Sequence, residues 1–136
     1  MNFTTKFAIV VDEDLAVWQK LNVIAFLSSG LTSQIIDIFG QAYEDKTGKQ
    51  YSPLCKQPIV VLKAPRKKLN TYLARANKHE VNSAIFIEDM FSTSHDEANR
   101  ESVQQYYSDE LPLVGISIRA DKKTVDKIMK GAKLHD

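Results

Sequence analysis

The sequence predicts a three-layer α/β sandwich, with a mixed, mostly parallel sheet of about four to five strands and helices on both faces, folded as a single domain over residues 1–136. Three observations predict it. Four short apolar runs, Phe7–Val11, Ile59–Leu62, Ala84–Ile87 and Leu113–Ile118, are continuous rather than alternating, as in strands covered on both sides. Segments of helical spacing separate them, which covers the sheet with helices. The chain is 43% hydrophobic and 26% charged, an ordinary globular balance, and its length lets one core bury roughly two-thirds of the unfolded surface.

The elements follow in order. After the first strand a helix begins near Ala16, where Val17, Leu21, Ile24, Ser28 and Leu31 recur at three- and four-residue steps and predict one buried stripe. Gly30 and the pair Thr32–Ser33 interrupt it. Ser33 is placed to cap a second short helix carrying Ile35, Ile36 and Phe39 and ended by Gly40. Asp45 to Gly48, between Tyr43 and Tyr51, reads as a hairpin or an ordered excursion. Pro65 suits the first turn of a helix whose inward residues are Leu69, Tyr72, Leu73 and Ala76. Ser94 with Glu97 has capping-box spacing and starts a polar, exposed helix that reaches about Tyr107. Pro112 precedes the fourth strand. Asp121 caps a last helix with Val125, Ile128 and Met129 inward, Gly131 ends it, and Ala132 to Leu134 form a short edge strand.

Charge and cysteine usage exclude several classes. The net charge is +1, which predicts neither a nucleic-acid tail nor an acidic-ligand funnel. From Lys63 to His79 the chain is basic and without acid; from Glu88 to Glu110 it carries seven acids against Arg100 alone. The basic helix has one aromatic residue, Tyr72, on its inward stripe, so a stacking platform for RNA is not expected; it reads as a solvated face, with RNA association kept as the weaker, third alternative. Cys55 is the only cysteine, which rules out an internal disulfide and points to a reducing, cytoplasmic setting. The first apolar run is too short for a secretory core, and no stretch approaches the ~20 apolar residues of a membrane span. Gly48–Lys49 lacks the spacing and hydroxyl of a phosphate loop. His79, His95 and His135 have no metal-ligand spacing, and no cofactor is implied. Ser94–His95–Asp96 has the residue types of a catalytic triad, but consecutive side chains at a helix start diverge, so it reads as a cap.

Two places can carry chemistry. One is the turn after the first strand and the helix start, with Lys20 and Asn22; ligands of open α/β sheets sit at the carboxyl ends of strands. The other is Glu88 to Thr93, where Asp89, Ser92 and Thr93 leave the third apolar strand. If the two strands point the same way, Lys20 and Asp89 can share a cleft and orient a water, with Thr93 donating a hydrogen bond. The plainer reading of the same side chains is helix capping and turn closure.

Short motifs resemble known families. Thr124 to Leu134, Asp89 with Thr93, and Asp14–Leu15 with Lys20 resemble elements of the type 2 peptidyl-tRNA hydrolases, in the same order along the chain. The pattern departs from that family where Val23 to Ser29 replaces a Gln and a His after the lysine, and where Phe91 and Ser92 replace a Gly and an Arg. The hydroxyl expected at the start of the fourth strand falls near Pro112–Leu113. A closer similarity is to a bacterial family called domain of unknown function two-thousand. It rests on Val11 to Leu15, Leu21–Asn22 with Ala25, Tyr43, Asp45, Gly48 and Tyr51, Pro58 to Leu62, Phe86, Ser92–Thr93, Gly115, and Val125 to Leu134. The resemblance implies a mixed-sheet sandwich, a possible homodimer and no established activity.

Two functions are thereby expected. The first is a small-ligand-binding or regulatory module with Asn22, Ser92 and Thr93 around a pocket. The alternative is an ester or amide hydrolase, such as one acting on peptidyl-tRNA, that uses Lys20, Asp89 and Thr93. The acidic stretch from residue 94 to residue 110 argues against tRNA, because phosphate contacts dominate nucleic-acid affinity.

Overall fold

A computed structural model describes residues 3–136. Its centre is strand β1 (Thr5–Asp12), buried from Phe7 onward. Strands β4 (Ile59–Ala64), β5 (Ser83–Ile87), β6 (Leu113–Asp121) and β7 (Lys133–Leu134) complete a five-stranded sheet of order β5-β6-β1-β4-β7. All four apolar runs are strands, and the edge strand near the carboxyl end forms as expected. The three-layer, mixed-sheet expectation holds. The sheet is not mostly parallel, however. Only β1 and β4 pair parallel, while β1–β6, β5–β6 and β4–β7 are antiparallel.

The reason lies in the connections. The chain leaving β5 returns to β6 at the same end of the sheet, where Glu88 N donates to Pro112 O over 2.9 Å. The strands read as parallel because they are continuously apolar, yet that apolarity reflects cover on both faces, which antiparallel strands also acquire under two helical layers.

Helix α1 (Val17–Thr32) covers one face. Its Val23, Leu27 and Leu31 pack with Phe7, Ile9, Val11, Phe86 and Val114. Helices α2 (Arg66–Lys78) and α4 (Lys122–Ile128) cover the other, where Leu69, Tyr72, Leu73, Val125 and Ile128 meet Ala8, Val10, Ile116 and Ile118. Alternate residues of β1 thus enter opposite cores, as the two-residue period of a strand requires. At Gly115 the approach of α1 leaves no room for a side chain: an added Cβ would lie 2.4 Å from Val23 Cγ1 and 2.9 Å from Leu27 Cδ1.

The inward stripes of α2 and α4 are those the spacing predicts. The stripe of α1 is so only in part: Leu31 is buried and Ile24 and Ser28 are half-buried. Val17 and Leu21 stand exposed, and the buried residues are Val23, Leu27, Leu31 and Thr32. The expected helix over Ser33 to Gly40 does not form either. Ser33 Oγ donates back to Gly30 O, Asp37 takes a left-handed φ of 64°, and Phe39 bridges to Cys55. Between them the chain projects an arm whose tip is the hairpin of β2 (Tyr43–Glu44) and β3 (Gln50–Tyr51), every residue exposed. Asp45 holds the hairpin together, accepting from the Thr47 and Lys49 amides, the Thr47 hydroxyl at 2.6 Å and the Tyr51 hydroxyl at 2.7 Å. These donors favour the ionised carboxylate and lower its pKa from 3.8 to about 2, the Thr47 hydroxyl contributing most. The exposed helix α3 (Asp96–Val103) stops short of Tyr107, and its cap is His95 rather than Ser94, through Nδ1 accepting from Ala98 N at 3.1 Å.

Candidate functional site

Because β6 is antiparallel to both β1 and β5, those two strands point the same way, and the starts of their following segments share one end of the sheet. Asp12 closes β1 there, almost fully buried. Its Oδ2 accepts from Arg66 Nε at 2.7 Å and its Oδ1 from Asp14 N at 3.0 Å, while Arg66 also reaches Glu88 Oε2 at 2.8 Å. Arg66 is raised above its ordinary pKa, chiefly by the hydrogen bond to Asp12. This network ties the ends of β1 and β5 to the first turn of α2.

Beside it, a 3-10 turn over Glu88–Ser92 carries Met90 and Phe91 under α1. Four aromatic rings gather there. Trp18 meets Phe91 edge-on at 5.9 Å, Phe91 lies 5.2 Å from Phe86, and Phe86 lies 5.9 Å from Phe26. Together with Asn22, Thr93, His95 and Asn99 they line a cavity of about 450 Å³. Trp18, Asn22 and Phe26 recur at four-residue steps along one flank of α1, so a single helical row forms one wall. Thr93 Oγ1 is held at 3.1 Å from Met90 O and against the Asn99 side chain. The cavity's acid, Asp96, is paired with Arg100.

The residues expected at the site divide. Asn22 and Thr93 are brought together across this cavity. Ser92, exposed at the end of the 3-10 turn, lies outside its lining. Lys20 stands on another flank of α1, its Nζ 3.2 Å from His135 Nε2, in a separate cavity of about 440 Å³ with Leu21, Ile24 and Val61. Asp89 accepts from the Tyr106 hydroxyl at 3.0 Å, which raises the Tyr106 pKa. The Lys20–Asp89 cleft is therefore not assembled: the strands are correctly aligned, but α1 turns the lysine toward β4 and β7. The aromatic row, Asn99 and the Asp12–Arg66 pair were not anticipated. The signal for the row was present in Trp18, Asn22 and Phe26, whose spacing matches a helix wall as well as Val17 and Leu21 do. Among the described residues no group of acids, histidines and cysteine is placed to hold a metal ion, and no helix is long and apolar enough to cross a membrane.

An open α/β sandwich with an aromatic-walled cavity at the carboxyl ends of its strands defines the class of architecture. The chain belongs to the family described as Protein of unknown function (DUF2000), whose model matches residues 5–136. It is similar in structure to a protein of unknown function from Agrobacterium tumefaciens strain C58, with a TM-score of 0.97 and 46% identity over 99% of this chain and 100% of that one. No curated protein matches the chain.

Proposed function

We propose that this protein is a cytoplasmic binding module for a small, flat, uncharged metabolite, held in the aromatic cavity between α1 and the 3-10 turn. The observation that carries the reading is the lining itself. Ligand sites are concave, mostly apolar and provided with a few placed polar groups, and they fall in the range of about 300–1,000 Å³. Here Trp18, Phe26, Phe86 and Phe91 supply faces for a planar ring, and Asn22 and Asn99 supply amides that can both donate and accept at its edge. With Asp96 answered by Arg100, the cavity offers no unmatched charge to an ionic ligand.

Hydrolysis of an ester or amide, which the motif likeness to type 2 peptidyl-tRNA hydrolases implies, needs Lys20, Asp89 and Thr93 to converge on one water. Lys20 and Thr93 line different cavities, and Asp89 lines neither. Geometry favours the binding module.

Trp18 is the only tryptophan, so its fluorescence reports on the cavity directly. Titration with free nucleobases and pyridine carboxamides should give saturable quenching in the wild type and none in Asn22→Ala, with circular dichroism unchanged. Absence of saturation across the panel, together with a ligand-free native mass spectrum of protein purified from cells, would remove the proposal.

A further inference from the structure

Lys20 and His135 both carry polar chemistry, and the aromatic cavity uses neither. On α1, Val17, Lys20, Leu21 and Ile24 recur at three- and four-residue steps and form a second flank, turned toward β4. The sheet supplies the opposite wall. Ile59 of β4 packs on the α1 side and Leu62 on the other, so Val61 turns to α1. The His135 amide donates to Val61 O at 3.0 Å, which extends the β4–β7 pairing one residue past Leu134. His135 therefore stands opposite Val61, on the same face as Lys20.

The cavity between them, about 440 Å³, has apolar walls of Val17, Leu21, Ile24 and Val61. Its cation is half-buried Lys20, whose Nζ lies 3.2 Å from His135 Nε2. The ring nitrogen accepts one of the three ammonium N–H groups and leaves two. Lys6, Lys63, Arg66 and Arg100 each meet a carboxylate, whereas among the described residues Lys20 forms no ion pair. The acid at this cavity, Asp136, is answered by Lys63 at 2.8 Å. It also sits at the other edge of the imidazole, 3.7 Å from Nδ1. A half-buried ammonium among apolar side chains is an arrangement that an anion completes, because the attraction is stronger there than in water.

The geometry points to a second ligand site here, for a small aliphatic monocarboxylate. Its carboxylate accepts from Lys20 beside His135, and its alkyl chain covers Val17, Leu21, Ile24 and Val61. One unanswered cation matches one negative charge, and no Phe, Tyr or Trp lines this cavity to favour a flat ring. The site shares no residue with the aromatic cavity and does not rest on the reading of that cavity.

Isothermal titration calorimetry of the whole chain with hexanoate and its neutral counterpart hexanamide tests it. Hexanoate should give saturable heat. Hexanamide should bind at least about tenfold more weakly, because it cannot accept a hydrogen bond from Lys20 as an anion does. Lys20→Met keeps an apolar stem and removes the charge. It should weaken hexanoate by a similar factor, leave hexanamide unaffected and leave circular dichroism unchanged. In nuclear magnetic resonance spectra hexanoate should shift the ring signals of His135 and not those of His79 and His95. No saturation, equal affinity for the two ligands, equal hexanoate affinity in Lys20→Met, or shifts spread over all three histidines would each overturn the inference. Trp18 fluorescence follows the other cavity, so the two sites can fail separately.

Discussion

Helices α1 and α2 do the same work on opposite faces of one sheet and differ in what they leave outside. The inner residues of α2 are Leu69, Tyr72, Leu73 and Ala76, and its remaining surface is largely Lys67, Lys68, Arg75 and Lys78, so its apolar side is fully used within the chain. Arg75 even turns inward to cap α4, donating from Nη1 to Ile128 O at 3.0 Å and Lys130 O at 3.1 Å. Helix α1 buries Val23, Leu27 and Leu31 and then presents Val17, Trp18, Leu21 and Phe26 to the outside. Exposed apolar side chains gathered on one part of a helix that already buries its inner row mark a surface that is not spent on the core. The contrast leaves exposed apolar surface on the α1 side and the aromatic cavity along one flank of that helix.

Substitutions can break this contrast at graded cost. The largest effect is expected at the start of α2. Arg66→Met leaves Asp12 buried without its cation and should lower stability by roughly 3 kcal/mol in a denaturant titration. Gly115→Ala should cost about 2 kcal/mol, because a Cβ there drives into Val23 and Leu27; loss of Trp18 quenching in this variant would show that α1 has moved off the sheet. The arm beside α1 should respond to acid. The folded Asp45 pKa, at about 2, lies below the ordinary 3.8, so its contribution is complete above that ordinary value and is lost as pH falls toward 2. The Thr47 and Lys49 amide resonances should shift across that window in the wild type and stay constant in Asp45→Asn. The smallest effect is expected at Tyr72→Phe on α2. The Tyr72 hydroxyl is buried without a partner among the described residues, so removing it should leave stability within about 0.5 kcal/mol or raise it slightly.

The same contrast explains what could be read from the sequence. The strands, the inward stripes of α2 and α4, the hairpin at Asp45 and the edge strand at Lys133–Leu134 were legible because each carries its own contrast of apolar against polar or a turn with its own chemistry. On α1 the expected row Val17–Leu21–Ile24–Ser28–Leu31 and the row Val23–Leu27–Leu31 share Leu31 and are both largely apolar, so periodicity alone cannot say which of Leu21 and Val23 faces the sheet. Gly115, against which Val23 and Leu27 pack too closely for a Cβ, shows the inward side, and that contact requires the fold. Strand direction was misjudged because burial on both faces, not parallel pairing, sets the composition of these strands. Of the candidate residues, Asn22 and Thr93 line one cavity together, while Lys20 lines another. Lys20 was not separable from them, because the face a helical residue takes depends on the row that is buried.

Hydroxyl-radical footprinting tests the outward face of α1 most directly. Leu21 and Phe26 are 63% and 59% exposed, whereas Val23 and Leu27 of the same helix are 0% and 2% exposed. Leu21 and Phe26 should be oxidised while Val23 and Leu27 stay unmodified in the folded protein. Oxidation of Val23 or Leu27 as fast as that of Leu21 would contradict the account.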